Sequence, residues 1–201
     1  MNDIARHYDL LIDLDNDPVH DPQPLREYMD KWDGSAFIDL LQLRPSDSVL
    51  EIGVGTGRLA MRTAPLCARL VGIDISPKTV TRARSNLAAF PNVSLICNDF
   101  LIHEFRQTFD VIYSSLTFMH INDKAAAFCK VKSLLTPNGR FVLSIDKAQK
   151  PFIDIGINKL RVYPDTPAQT ADSLRACGFL IAEMCETEFA YIFAAKNPCN
   201  L

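Results

Sequence analysis

The chain has 201 residues, 48% of them hydrophobic and 22% charged, with a formal net charge of −3, values ordinary for one globular domain large enough to bury a substantial core. The slight acidic excess, with no Lys/Arg block longer than two, gives no field for a nucleic-acid backbone. No run approaches the ~20 apolar residues of a membrane span, and Asp3, Arg6, Asp9, Asp13, Asp15 and Asp17 argue against a signal peptide at the N-terminus. Cys67, Cys97, Cys129, Cys177, Cys185 and Cys199 show no C-x-x-C spacing and lie mostly in apolar surroundings. That pattern predicts reduced thiols of a cytoplasmic protein and no metal site.

Residues 1–34 are acidic and contain Pro18, Pro22 and Pro24, so one continuous helix across them is not expected. Short helices are predicted over Ile4–Ile12, Pro24–Trp32 and Ser35–Leu43, the last with Phe37, Ile38, Leu40 and Leu41 toward the core. Trp32, the only tryptophan, reads as core packing or as part of a substrate lining.

The stretch Val49–Ala60, V-L-E-I-G-V-G-T-G-R-L-A, organises the remainder. Val49, Leu50 and Ile52 form an apolar run short enough for a buried strand, and Gly53, Gly55 and Gly57 are three of only eight glycines in the chain. Arg58 and Leu59 then open a helical pattern that Pro65 should end near Ala64. A strand, a tight glycine turn and a helix start let backbone approach a ligand closely, because no Cβ intervenes and such turns use positive φ. Leu70–Ile73 is the second buried strand, followed by Asp74, which stands 21 residues beyond Gly53 (74 − 53). An acid about 20 residues after the first glycine is placed to hold a ribose diol, since a carboxylate accepts from both hydroxyls. A solvated turn aspartate is the alternative.

Ser76 and Pro77 are expected as N-cap and first residue of a helix reaching about Ala89. Val93–Cys97 is the third strand, followed by the tripeptide Asn98-Asp99-Phe100, and Phe109–Ser115 is the fourth. A helix over Ala125–Leu135 should stop at the turn Thr136-Pro137-Asn138-Gly139, before a strand over Arg140–Ile145. Between Asp146 and Pro167 no separate core is predicted. Thr166-Pro167 begins a helix to about Cys177 with Gly178 as its cap, and Leu180–Thr187 and Phe189–Ala195 read as a closing antiparallel pair.

The glycine spacing G-x-G-x-G, with Glu51 two residues ahead, departs from the dinucleotide pattern G-x-G-x-x-G. It resembles motif I, E/D-x-G-x-G-x-G, of the class I (Rossmann-like) S-adenosylmethionine-dependent methyltransferases. The resemblance covers nearly residues 35–196 as motifs and element order. It extends to Tyr8-Asp9, like the family's leading "YD" element, to Leu116–Ile121, like the loop bordering the methyl-acceptor pocket, and to Thr136–Gly139, like "L-x-P-G-G". It implies a three-layer α/β fold with a seven-stranded, mostly parallel sheet of order 3-2-1-4-5-7-6 and an antiparallel final strand. Residues 35–201 would form the S-adenosylmethionine-binding domain, and residues 1–34 a lid, the alternative being a disordered or loosely docked arm. The implied cofactor is S-adenosyl-L-methionine. Its contacts would come from Tyr8, Glu51, Gly53, Gly55, Gly57, Asp74, Ile75, Asp99, Phe100 and backbone near Ser114, with Asp99 on the adenine amino group and Phe100 against the ring.

Methyl transfer from a sulfonium is an in-line displacement that asks the protein mainly for position. A general base helps when the acceptor is a hydroxyl or a protonated amine. His120, beyond the fourth strand at the edge where open α/β sheets bind ligands, is the first candidate and Asp146 the second. An exposed or helix-capping histidine is the plainer reading. Tyr113-Ser114-Ser115-Leu116 stands where the amino-methylating nucleic-acid and glutamine enzymes carry N/D-P-P-Y/F, which leaves a small-molecule acceptor, without nucleic acid or membrane, as the expected partner. The alternatives are a non-catalytic S-adenosylmethionine-binding subunit, kept open by the short Asp146–Pro167 segment, and an NAD-dependent oxidoreductase, disfavoured by the glycine spacing. The oligomeric state stays open, a homodimer included.

Overall fold

The computed structural model describes residues 3–156 and 158–199. Five apolar runs become the parallel strands β1 (Ser48–Ile52), β2 (Arg69–Asp74), β3 (Val93–Cys97), β4 (Phe109–Ser115) and β5 (Leu135–Asp146). A small separate hairpin follows, β6 (Phe152–Asp154) with β7 (Lys159–Arg161), then β8 (Leu180–Glu186) and β9 (Ala190–Lys196). The main sheet runs β3-β2-β1-β4-β5-β9-β8, with β9 antiparallel to both neighbours. That is the expected order; the hairpin merely inserts two strands before the closing pair.

Strands covered on both faces need apolar residues at every position, and the side chains alternate between two cores. One core joins Leu50, Ile52, Ile112, Phe141 and Phe193 to α6 (Lys124–Leu134) and α7 (Pro167–Ala176), through Phe128, Val131 and Leu174. The other joins Val49, Leu70, Tyr113, Val142 and Ile192 to α3 (Gly34–Leu41) and α5 (Pro77–Asn86), through Phe37, Leu41 and Ala83. Three layers result. Among the described residues no helix is long and apolar enough to cross a membrane.

Helix signals were accurate where a cap was written into the sequence. Ser76 caps α5, its Oγ accepting from the Thr79 N–H, and Thr166 with Gln169 forms a complete capping box on α7. Gly178 takes φ +79 after α7. Elsewhere the structure corrects the expectation. The helix after the glycine turn starts only at Ala60, not Arg58; as α4 (Ala60–Thr63) it ends where Pro65 was expected to end it, passing at Ala64 into a 3-10 turn, Ala64–Leu66. α5 stops at Asn86, short of Ala89. The segment Thr136–Gly139 is not a free turn but a bulge inside β5: Phe109 pairs with Leu135 and Val111 with Arg140. Asn138 sits at φ +62 there, and Asn197 secures the bulge by donating from Nδ2 to the Leu135 and Thr136 carbonyls, both at 3.2 Å.

The leading segment is ordered: α1 (Asp3–Asp13) lies against α5, and α2 (Gln23–Met29) follows. Asp9 is buried and its Oδ1 accepts from Ser76 Oγ at 2.6 Å and from the Lys78 N–H at 3.0 Å, doubling the cap on α5. Asp13 pairs with Lys78, and Asp17 with Arg82 and Asn86. The acidic composition of the arm is thus complementary to one face of α5. On its other side, His7 Nδ1 meets Asn158 Nδ2 at 3.1 Å, beside the hairpin. Trp32 packs on Phe189 and Tyr28 with ring centroids at 4.7 and 5.4 Å, the packing alternative of its two readings. Removing a buried acceptor leaves two donors unsatisfied at about 1–3 kcal/mol. Asp9→Ala should therefore speed amide exchange of residues 3–13 by tenfold or more while β1 and β4 stay protected; unchanged exchange in α1 would mean that Asp9 does not hold it.

Candidate active site at the carboxyl edge of the sheet

The turn after β1 is folded back onto the end of β2. The N–H groups of Gly53 and Val54 donate to the Ile73 carbonyl at 2.8 and 3.1 Å, and the Gly55 N–H donates to Asp74 Oδ2 at 3.0 Å. Gly53, Gly55 and Gly57 take φ of +77, +56 and +100, a region costly for other residues. A Cβ on Gly53 would overlap Thr117, one on Gly57 would lie 2.9 Å from Leu87 Cδ1, and one on Gly55 would meet open space. Close packing fixes Gly53 and Gly57; Gly55 is free on the side a ligand would occupy.

This turn, the ends of β1, β2 and β4, and α1 enclose a cavity of about 470 Å³. Tyr8, Glu51, Gly53, Gly55, Asp74, Ile75, Asp99 and Phe100 of the expected cofactor residues line it, as does His120. Gly57, Ser114 and Asp146 do not. Gly57 packs on α5 instead. Ser114 points into the interior, its Oγ donating to the Ile52 carbonyl at 2.8 Å, so the two-residue strand period brings Ser115 to the cavity in its place. Asp146 borders a second, smaller cavity of about 170 Å³ beneath the β6–β7 hairpin, and its Oδ1 accepts from the Ala148 N–H at 2.7 Å. Leu116 and Met119 line both cavities; Leu116 holds φ +54, a strained value for its residue type.

Asp33 escaped the sequence reading. It is fully buried, accepts from Ser115 Oγ at 2.7 Å and from the Arg58 guanidinium, and Arg58 also reaches Asp30 at 3.5 Å. Arg58 lines the cavity directly after the glycine turn. Its position was visible in the sequence. Its partner lies 25 residues earlier in an arm whose aspartates all look alike.

The titratable groups are strongly perturbed. Burial pushes the Glu51 carboxyl up to about 8, with Asp33 and Asp74 adding to the effect and the Tyr113 hydroxyl and Arg58 opposing it. That hydroxyl donates to Glu51 Oε2 at 2.8 Å. Burial likewise raises Asp74, against the backbone donors of Ser76 and Gly55. Burial lowers His120 to about 4, with His7 and Lys124 contributing, so the imidazole is neutral. Its Nε2 lies 2.7 Å from the Tyr8 hydroxyl, and its Nδ1 is buried without a hydrogen-bond partner. The imidazole thus borders the cavity with Nδ1 buried and Nε2 taken up by Tyr8, whose own hydroxyl is held neutral by burial.

The Glu51 shift has a measurable sign. Between about 4.5, its ordinary value, and about 8 the folded chain holds a proton that the unfolded chain has lost, so its contribution to stability is full below that window and lost as pH rises through it. Glu51→Gln mimics the protonated form. Its melting temperature should match the parent's at pH 4 and exceed it by several degrees at pH 8.5; a difference independent of pH would place the raised titration elsewhere.

A methyltransferase-domain family model matches residues 50–143, spanning β1 to β5. Phosphoethanolamine N-methyltransferase 3 of Arabidopsis thaliana is 35% identical over 118 residues, 57% of this chain and 24% of the relative. The chain spans half or less of the length of the curated relatives it matches. Among solved structures, the N-methyltransferase NodS of Bradyrhizobium japonicum in complex with S-adenosyl-L-homocysteine superposes with a TM-score of 0.72 at 18% identity, covering 98% of this chain and 100% of the other. The [4+2]-cyclase SpnF superposes at 0.75 with 17% identity, covering 97% and 96%. The motif, the strand order and the family match agree: residues 50–143 are similar to a methyltransferase domain, on the fold that S-adenosylmethionine-dependent methyltransferases share.

Proposed function

We propose that the chain transfers a methyl group from S-adenosyl-L-methionine to a small-molecule acceptor, with an amine nitrogen as the receiving atom. The observation that carries this reading is the single cavity in which the glycine turn, Glu51, Asp74 and Asp99 line one edge of the sheet. The donor set fits the cofactor chemically. Asp74 offers carboxylate oxygens to a ribose diol, Ile75, Phe100 and Leu101 offer apolar surface to an adenine, and Asp99 an acceptor for its amino group. Glu51 is neutral in a site without cations and regains its charge beside an ammonium or sulfonium. The open space over Gly55 admits a ligand against the backbone.

The bound cofactor supplies an activated methyl; the chain's own residues do the rest. The arm acts as a lid over residues 1–34: Ile4, Leu11 and Ile12 of α1 line the cavity and exclude water, and the Tyr8–His120 hydrogen bond closes the lid over the β4 edge. The acceptor occupies the smaller cavity beyond Leu116 and Met119, whose volume limits it to a small molecule. Proton removal from an ammonium acceptor falls to Asp146 within that cavity and, where the acceptor reaches past Leu116 and Met119 into the larger one, to the Tyr8–His120 pair. The nitrogen reading draws on the N-methyltransferase names of two of the similar proteins.

Calorimetric titration with S-adenosylhomocysteine, and separately with NAD⁺ and NADH, tests the cofactor. Binding of the first alone is expected, and binding of a nicotinamide nucleotide alone would overturn the reading. Asp74→Ala should weaken S-adenosylhomocysteine by about 1–3 kcal/mol, roughly 5- to 150-fold in Kd; unchanged affinity would remove Asp74 from the site. Methyl transfer from labelled S-adenosylmethionine across a panel of small amines tests the reaction. There Tyr8→Phe should lower turnover tenfold or more with S-adenosylhomocysteine affinity kept within a few-fold, and tight binding without transfer to any amine would favour a non-catalytic subunit.

A further inference from the structure

We propose that Cys129 and Cys177 are a redox-active thiol pair that closes reversibly into a disulfide, tying α6 to α7 on the face of the sheet away from the lid. The two sulfurs are in direct contact, 2.6 Å apart, so a covalent bond between them asks for no movement of either helix. The contact follows from the fold. Cys129 is on the outer side of α6, and Cys177 ends α7 as its C-cap, where its Sγ also reaches the Ala125 carbonyl at 3.5 Å. Both helices are anchored in one core through Phe128, Val131, Ala171 and Leu174, so the sulfurs are held together by packing and not by chance mobility. The other four cysteines stand elsewhere: Cys67 is buried, Cys185 is half-buried on β8, and Cys97 and Cys199 are exposed on β3 and after β9.

The chemistry requires an oxidant, for which glutathione disulfide serves. Cys129 is exposed and is the point of entry. Its thiolate attacks one glutathione sulfur, expelling a glutathione thiolate and forming a mixed disulfide. Cys177 is half-buried, its thiol pushed up to about 11 by burial and by the neighbouring Cys129, so it reacts second. Its thiolate attacks Cys129 Sγ and expels the second glutathione. Two protein thiols lose two protons and two electrons, and one glutathione disulfide becomes two glutathiones. The closed loop contains β5 and the β6–β7 hairpin, so oxidation braces the half of the sheet that carries the smaller cavity.

The test is oxidation of the full chain by glutathione disulfide, followed by alkylation and peptide mapping. Two of the six thiols should escape alkylation, in one linked peptide pair containing Cys129 and Cys177, with loss of two hydrogens and full reversal by dithiothreitol. The melting temperature of the oxidised chain should rise by several degrees. Cys177→Ser should instead stop at a stable glutathione adduct on Cys129, without the rise in melting temperature. Glutathione on Cys97 or Cys199 while Cys129 and Cys177 remain alkylable would overturn the proposal, as would a Cys129–Cys177 link found only between two chains.

Discussion

The folding back of the glycine turn onto the end of β2 is the constraint on which the site depends. The Ile73 carbonyl takes two N–H donors from the turn, and the Asp74 carboxylate takes a third from Gly55 and a fourth from Ser76. That one side chain thereby connects the turn after β1 to the start of α5. Ser76 carries the connection onward, since its hydroxyl caps α5 and donates to Asp9 of the arm. Turn, helix and arm are in this way referenced to the edge of one strand, and no loop has to find its place alone.

The acids around the cavity divide by environment. Asp33 is ion-paired with Arg58 and accepts from the Ser115 hydroxyl. Asp74 is half-buried and surrounded by backbone donors, while Glu51 has a single phenolic donor and the fields of two other carboxyls against it. Glu51 is therefore the group whose charge depends most on what enters. A cation would find there a carboxyl ready to release its proton, and a neutral or anionic molecule would not.

Much of this was legible in the residues. Parallel strands buried on both faces are written as near-continuous apolar runs, so β1, β2 and β4 could be placed within a residue or so, and α5 and α7 announced themselves through Ser76-Pro77 and Thr166-Pro167. The sheet order came from a resemblance and not from periodicity. What could not be read was long-range pairing. Asp33 with Arg58, Asp9 with Ser76 and Tyr8 with His120 bring together residues 25, 67 and 112 positions apart, and no local pattern marks them. Gly57 shows the opposite limit: its glycine was visible, but the reason, the proximity of Leu87, belongs to the packed structure. Ser114 was misplaced relative to the cavity by one residue, which in a strand is the difference between two faces.

The bulge in β5 has a consequence for how the chain acquires its structure during synthesis. Its carbonyls are satisfied by Asn197, and β5 finds its second neighbour only in β9, with Arg140 opposite Lys196. A ribosome that has delivered everything through α7 has still not supplied the strand that separates β5 from β8. Until then β5 presents an open edge rich in Phe141, Val142 and Leu143, the kind of surface that chaperones recognise. The parallel half of the sheet can assemble as it emerges, whereas the antiparallel half must wait for residues near 197.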